Sequence, residues 1–319
     1  MTANSYICSF NQDCMSFKTF LLKLISFFIL FCICDMLAGY GFRFLNARAG
    51  DKFARENYMR EEMAADVIIM GSSHATHHYV PSIIADSIGL TVYNCGQRGN
   101  GIIYEYGRLA TIYQRYTPKV IILDVVRSFD LDKNDNSRFL DFLKHDYGNN
   151  PTVDSLFYVI DKWSKYKMLI NSYRYNSTIC DLLINVLNRN RGRYRDDGYY
   201  PLEGTKISDR MPHSSSPTAA LFDVDSLKVM YLERVAAERR DDCLLIYTIS
   251  PSYQYVNPHE YDVVREICKK ESIPLLEYLN DSGFVKKKEL FYDETHLNDS
   301  GAQKFTRIVA SDVKKLLKH

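Results

Sequence analysis

Nine residues, Val67-Ile68-Ile69-Met70-Gly71-Ser72-Ser73-His74-Ala75, set the strongest limit on the fold. Three β-branched residues and a Met read as a short buried strand, and Gly71 with two serines breaks it at once. Ile83-Ile84-Ala85 further on reads as part of a following helix. A small polar residue on a sharp strand-to-helix turn is where an α/β sheet presents a nucleophile. Its side chain stands exposed at the carboxyl end of the strand, and the next helix lends its N-terminal amides. The same residues also suit a plain structural turn with an N-cap serine, and the stretch alone does not choose between the two.

The far end of the chain reads Phe291-Tyr292-Asp293-Glu294-Thr295-His296-Leu297-Asn298-Asp299-Ser300-Gly301-Ala302. An Asp three residues before a His can fold back and set its carboxylate on the imidazole. That would hold the tautomer and stabilise the imidazolium, the orienting role in a Ser-His-Asp triad. An Asp N-cap beside a surface His would use the same residues. A third piece, Tyr93-Asn94-Cys95-Gly96-Gln97-Arg98-Gly99-Asn100-Gly101, follows a second short strand at 90–93. Its glycines let the backbone approach a substrate and point an amide at it.

The order strand–GxS, strand–NxGxxG and terminal DxxH resembles the SGNH (GDSL-like) hydrolase superfamily over roughly residues 65 to 319. The resemblance implies a flavodoxin-like three-layer α/β/α fold with a central parallel sheet. It puts Ser73 at the nucleophile position, with a Ser in place of the usual Asp before it, as in the branch that includes the D-alanyl transfer proteins of teichoic acids. His296 would be the base and Asp293 its partner. The oxyanion hole would use the amides of Ser73 and Gly99. The family's Gly-x-Asn-Asp block is missing: after Val120-Ile121-Ile122-Leu123 comes Asp124-Val125-Val126-Arg127-Ser128-Phe129-Asp130. Losing an oxyanion donor costs about 100- to 1,000-fold in rate, so Asn100 and Arg127 are candidate substitutes.

Ahead of this body, residues 20–42 are strongly apolar all round, and about 20 such residues suffice to span a bilayer. Lys23 can snorkel at one end, while Tyr40 and Phe42 suit the other interface. Asp35 is the flaw in the run, and a soluble core helix is the competing reading. Ala47-Arg48-Ala49 lies too far beyond the run for a signal-peptide cleavage site, so a retained anchor is expected. Lys18 and Lys23 precede it and Arg43, Arg48, Lys52 and Arg55 follow, so charge leaves the orientation open. The resemblance to exported, singly anchored family members implies a periplasmic or otherwise extracytoplasmic body.

The expected organisation is a polar tail at 1–19, the anchor at 20–42, a charged linker helix at 43–65, and the SGNH-like domain at 66–319. A mainly helical insertion at about 130–220 interrupts that domain. Strands are expected at 66–70, 90–93, 119–125, 243–248 and 274–277, alternating with helices as in a parallel sheet with crossovers. Asp130 to Asn136 begins like an EF-hand loop with Asp141 at its twelfth position. Asp135 takes the place of the required glycine, so a solvated acidic loop is expected instead.

The 40 basic and 39 acidic residues nearly cancel and leave no nucleic-acid footprint. Four of the eight cysteines lie in the tail or anchor. Cys95, Cys180, Cys243 and Cys268 lack metal-ligand spacing, and either a disulfide or free buried thiols would suit them. His74, His77 and His78 have no matching carboxylate or Cys and read as surface or second-layer groups. No cofactor or metal is expected. Three function classes follow. One is an O-acyl, chiefly O-acetyl, esterase on a cell-envelope or extracellular glycan. Another is an acyltransferase that takes its acyl group from an integral membrane partner. The third is a non-catalytic envelope protein on the same scaffold.

Overall fold

The structure is a computed structural model describing residues 17–133, 137–188, 194–208 and 223–318. Helix α1 (Phe17–Asn46) is followed by α2 (Asp51–Glu61), β1 (Val67–Gly71), α3 (Ser73–His78), α4 (Pro81–Ile88), β2 (Val92–Asn94), α5 (Ile102–Tyr113) and β3 (Val120–Asp124). Next come α6 (Arg127–Asp130), a 3-10 stretch Ser137–His145, α7 (Pro151–Ile160), α8 (Ser164–Lys167), a 3-10 turn Ser172–Tyr175 and α9 (Ile179–Leu187). The chain ends with α10 (Ser226–Ala237), β4 (Leu244–Ile249), α11 (Asp262–Lys270), β5 (Leu275–Glu277) and α12 (Asp299–Leu316).

All five strands are parallel, in the order β2-β1-β3-β4-β5. That is the doubly wound order whose ligand crevice opens where the strand order reverses, beyond the carboxyl ends of β1 and β3. Side chains alternate along each strand. Ile68, Met70, Ile121, Leu123, Leu245 and Tyr247 pack in one core with residues of α5, α10 and α11. Val67, Ile69, Val120, Ile122 and Ile246 pack in the other, with residues of α3, α4 and α12. The three-layer α/β/α architecture expected from the sequence is therefore present.

Two parts of the chain differ from the sequence reading. The stretch after the apolar run is no plain charged linker helix. It breaks at 47–50, and α2 then buries Arg55 and Glu56. Arg55 donates to the carbonyls of Asn94 (2.7 Å) and Gly96 (2.8 Å), and Glu56 pairs with Arg108. The acidic loop is not wholly solvated either. Asp130 is buried and accepts the Val126 amide at 2.6 Å, while residues 134–136 lie outside the described residues. Of the eight cysteines, the six in the described residues are all free thiols.

Helix α1 is long and apolar enough to cross a membrane, with a mean hydropathy of 2.4 over its most apolar window. Its first 18 residues, 17–34, are exposed throughout. Asp35 then accepts hydrogen bonds from the amides of Asn171 (2.7 Å) and Ser172 (2.9 Å), from Asn171 Nδ2 (3.1 Å) and from Ser172 Oγ (2.7 Å). One turn on, Gly39 lies so close to Asn171 that a Cβ there would stand 2.4 Å from the Asn171 Cβ. Asn46 bonds Asn57 of α2. The carboxylate that broke the apolar run thus ties α1 to the body.

Candidate active site

The turn after β1 is forced by close packing. Gly71 has φ +132°, and a Cβ on it would lie 2.5 Å from the Asp124 carbonyl oxygen on the neighbouring strand. Only glycine takes that backbone, and it allows the chain to turn straight into α3. Ser72 takes the N-cap position without a capping hydrogen bond, and Ser73 is the first helical residue, half-buried at the mouth of the crevice. Ser72 thus fills the N-cap position without the side-chain bond by which a capping serine stabilises a helix.

Far along the chain, a second tight turn presents the base. The Tyr292 amide donates to the His296 carbonyl at 2.8 Å, and Phe291 bridges Leu297. Asp293 Oδ1 accepts the amides of Thr295 (2.9 Å) and His296 (2.8 Å). The same carboxylate reaches His296 Nδ1, at 2.9 Å from Oδ1 and 3.1 Å from Oδ2. A proton on Nδ1 satisfies that pair and leaves the Nε2 lone pair free. Nε2 lies 2.9 Å from Ser73 Oγ, across 223 residues of sequence. Burial acts to raise the Asp293 pKa, but the His296 ring and the two amides overcome it and hold the carboxyl well below the usual range.

The loop is pinned from below. The Leu297 amide donates to His78 Nε2 at 3.0 Å, and Thr306 Oγ1 of α12 donates to the His78 carbonyl at 3.1 Å. The three histidines after Ser73 are not surface groups, contrary to one reading of the sequence. His77 and His78 are buried, and His74 stacks on His78 with ring centres 4.4 Å apart. His77 Nδ1 donates to the Tyr200 carbonyl at 2.7 Å. Burial, reinforced by neighbouring imidazoles, pushes His74 down to about 3 and His77 down to about 4, so both are neutral near pH 7. Among the described residues, no group of three or more His, Cys, Asp or Glu is arranged to hold a metal ion.

Beneath Ser73 lies a network that sequence reasoning missed. Asp124, at the end of β3, is fully buried and bonded by the hydroxyls of Tyr79, Ser250 and Thr248. Its other oxygen, 3.8 Å from His74 Nδ1, has no hydrogen-bond partner. Burial pushes this carboxyl up to about 7 against the pull of those hydroxyls. An Asp closing an otherwise apolar strand was the signal available in the sequence.

The candidate oxyanion groups stand as follows. Gly99 has φ +79° in a turn closed by the Asn100 amide donating to the Gln97 carbonyl at 3.2 Å. The Asn100 amide is thus used within the turn. Arg127 is held by Asp132 (2.9 Å) and Glu260 (2.5 Å). A cleft of about 420 Å3 opens beside Gly99, with Arg98, Asn100, Phe142 and Tyr194 among its lining. The segment 194–208 crosses the rim. Tyr200 meets the His77 ring edge-on and lies under Arg98, and the Asp299 amide donates to the Leu202 carbonyl at 2.7 Å.

Comparison with known proteins leaves this geometry to speak for itself. No family model matches the chain, and no curated protein does. Among solved structures, the chain is similar to a protein provisionally assigned to a G-D-S-L lipolytic family, from Desulfitobacterium hafniense DCB-2. The likeness covers 78% of this chain and 99% of that one, at 11% sequence identity and a TM-score of 0.36. The functional reading rests instead on this chain's own side chains.

Proposed function

We propose that the chain is a serine-dependent O-acyl esterase of the SGNH type that acts on a cell-envelope or extracellular glycan, O-acetyl groups above all. The observation that carries it is the continuous contact Ser73 Oγ–His296 Nε2–His296 Nδ1–Asp293. A serine hydroxyl is a poor nucleophile until a base stands at hydrogen-bond distance, and that base needs an orienting partner. In this reading His296 takes the Ser73 proton as Oγ attacks the ester carbonyl. The amides of Ser73 and Gly99 receive the oxyanion, and the imidazolium, held by Asp293, gives its proton to the departing sugar oxygen, which leaves as the hydroxyl. Water activated by the same His296 then releases the acyl group. The neighbouring cleft, with an aromatic wall at Tyr194 and polar groups at Arg98, Asp141 and Asp181, suits a sugar chain.

One observation favours a second reading, acyl transfer. The end of β3 offers no amide side chain. Asp124 is sunk among Tyr79, Thr248 and Ser250, and Arg127 is tied to two carboxylates. Slow hydrolysis of an acyl-Ser73 enzyme gives a sugar hydroxyl time to compete with water. An integral membrane partner would then supply the acyl group, with α1 holding this chain beside it in the membrane and the body on the extracytoplasmic side.

Labelling with a water-soluble fluorophosphonate, followed by turnover of a chromogenic acetyl ester, tests the shared first step. Weak ester turnover is expected. Labelling without hydrolysis, and acyl release only on adding a sugar acceptor, selects transfer. A chain that neither labels nor turns over any ester favours the third reading, a non-catalytic envelope protein on this scaffold.

A further inference from the structure

The end of the apolar helix opens on a cleft that the esterase reading does not use. Helix α1 is fixed to the insertion at successive turns. Asp35 binds Asn171 and Ser172, Gly39 packs on Asn171, and the Phe42 ring lies 5.3 Å from that of Tyr175. Beside those contacts lies a cleft of about 490 Å3, bordered by Gly39 and Arg43 of α1, Arg60 and Glu61 of α2, and His145 and Arg174 of the insertion.

Three guanidinium groups share this cleft with one carboxylate, Glu61, which Arg60 takes at 2.8 Å. Among the described residues, Arg43 and Arg174 have no ion pair, and Arg174 Nε is buried without a hydrogen-bond partner. A buried donor left bare costs free energy until an acceptor reaches it. The three charges act on the same space. Burial raises the Tyr175 phenol, while Arg43, Arg60 and Arg174 all pull against it. Burial, reinforced by arginines that include Arg60 and Arg174, pushes His145 down to about 3. The imidazole is therefore neutral near pH 7, and the cleft keeps an excess of positive charge. Guanidinium forks match pairs of oxygens on a phosphate.

The place of the cleft along α1 names the source of that phosphate. From Phe17 to Asp35 an α-helix rises about 27 Å, close to the ~30 Å hydrocarbon core of a bilayer. Gly39 then stands about 6 Å beyond the core, at the depth of the headgroups. Arg43 stands about 12 Å beyond it, and helical side chains lean toward the helix N-terminus, here toward the membrane. Basic pockets at that depth recruit anionic headgroups. We propose that this cleft binds the phosphate of an anionic phospholipid from the leaflet around α1. The phosphate oxygens join Arg43 on the helix to Arg60 and Arg174 on the body, so the lipid closes the joint that Asp35 begins. The lipid as source rests on reading α1 as a membrane span.

The full chain in maltoside detergent can be titrated with dioleoylphosphatidylglycerol and, separately, with dioleoylphosphatidylcholine, and bound lipid read by native mass spectrometry. One phosphatidylglycerol should bind per chain, ahead of phosphatidylcholine, and an equal concentration of inorganic phosphate should not displace it. Arg43→Gln with Arg174→Gln should weaken binding about 30-fold, and Arg43→Gln alone, at an exposed position, about 5-fold. Neutralising two exposed lysines elsewhere, Lys269→Gln with Lys314→Gln, should leave binding as it is. Equal binding of the two lipids, or an equal loss in the lysine pair, overturns the site. If circular dichroism shows that the double arginine variant does not fold, Arg43→Gln alone decides, and no loss there overturns the site. Displacement by inorganic phosphate overturns the lipid as the source. Release of the full chain from membranes by alkaline carbonate overturns the span and the lipid source with it, whatever the cleft binds in detergent. None of these measurements uses Ser73, so failure of the esterase reading leaves them intact.

Discussion

The two edges of the sheet are built from different materials. The carboxyl edge gathers neutral, buried imidazoles and one buried carboxyl around a half-open serine. The amino edge carries charged side chains, with Arg43, Arg60, Glu61 and Arg174 lining one cleft where α1 meets the body. Desolvated titratable groups at one end suit bond chemistry, whereas charged groups open to water at the other suit a solvated surface. The difference separates the end of the sheet that gathers the candidate reactive groups from the end where α1 meets the body.

The comparison breaks most visibly at the carboxyl edge. Ser73→Ala and His296→Ala should each cut fluorophosphonate labelling by at least about 1,000-fold while leaving the far-ultraviolet circular dichroism spectrum as it is. A variant that loses both signals would show that the carboxyl edge is needed to hold the fold. Asp293→Asn removes the acceptor that holds Nδ1–H, and labelling should fall by about 100- to 10,000-fold, measured as a second-order rate.

The buried carboxyl of Asp124 sharpens the comparison through pH. Burial pushes its pKa in the folded chain up to about 7, above the ordinary value of 3.8. Its contribution to stability is therefore complete below about pH 4 and is lost as pH rises through about 7. Asp124→Asn stays neutral, so its stability should fall less across that window. Relative to wild type the variant should gain by up to roughly 4 kcal/mol, read from denaturant midpoints at a series of pH values. Equal slopes for the two proteins would mean that Asp124 is ionised in the folded chain.

The smallest effect is expected at the foot. Asp35→Ala leaves two amides, a hydroxyl and a side-chain amide without their acceptor. It should loosen the insertion by about 1–3 kcal/mol, seen as faster proteolysis near residue 170. Labelling of Ser73 should not change. A drop in labelling would mean that the docked anchor reaches the site.

The strand positions were legible because fully buried parallel strands leave unbroken apolar runs, as Val67–Met70 and Val120–Leu123 do. The residues of the candidate triad were legible because a glycine before a serine, and an Asp three before a His, are local patterns with local geometric reasons. Arg55 and Glu56 were not, since a charged residue reads as solvated until its partners, carbonyls 39 and 41 residues away and Arg108, are known. For the same reason the sequence left His77 and His78 open as surface or second-layer groups, and only the second reading fits their burial.

By itself the sequence determined the parallel α/β sheet, the apolar helix ahead of it and the chemical identity of Ser73, His296 and Asp293, because each follows from side chains within a few residues of one another. Only the tertiary structure decided that Nε2 of His296 lies 2.9 Å from Ser73, that Asp124 is sunk beneath them, and that Asp35 ties α1 to the insertion. Those contacts join residues from 45 to 223 positions apart, and such a meeting is set by how strands and helices pack, which no short stretch of chain encodes.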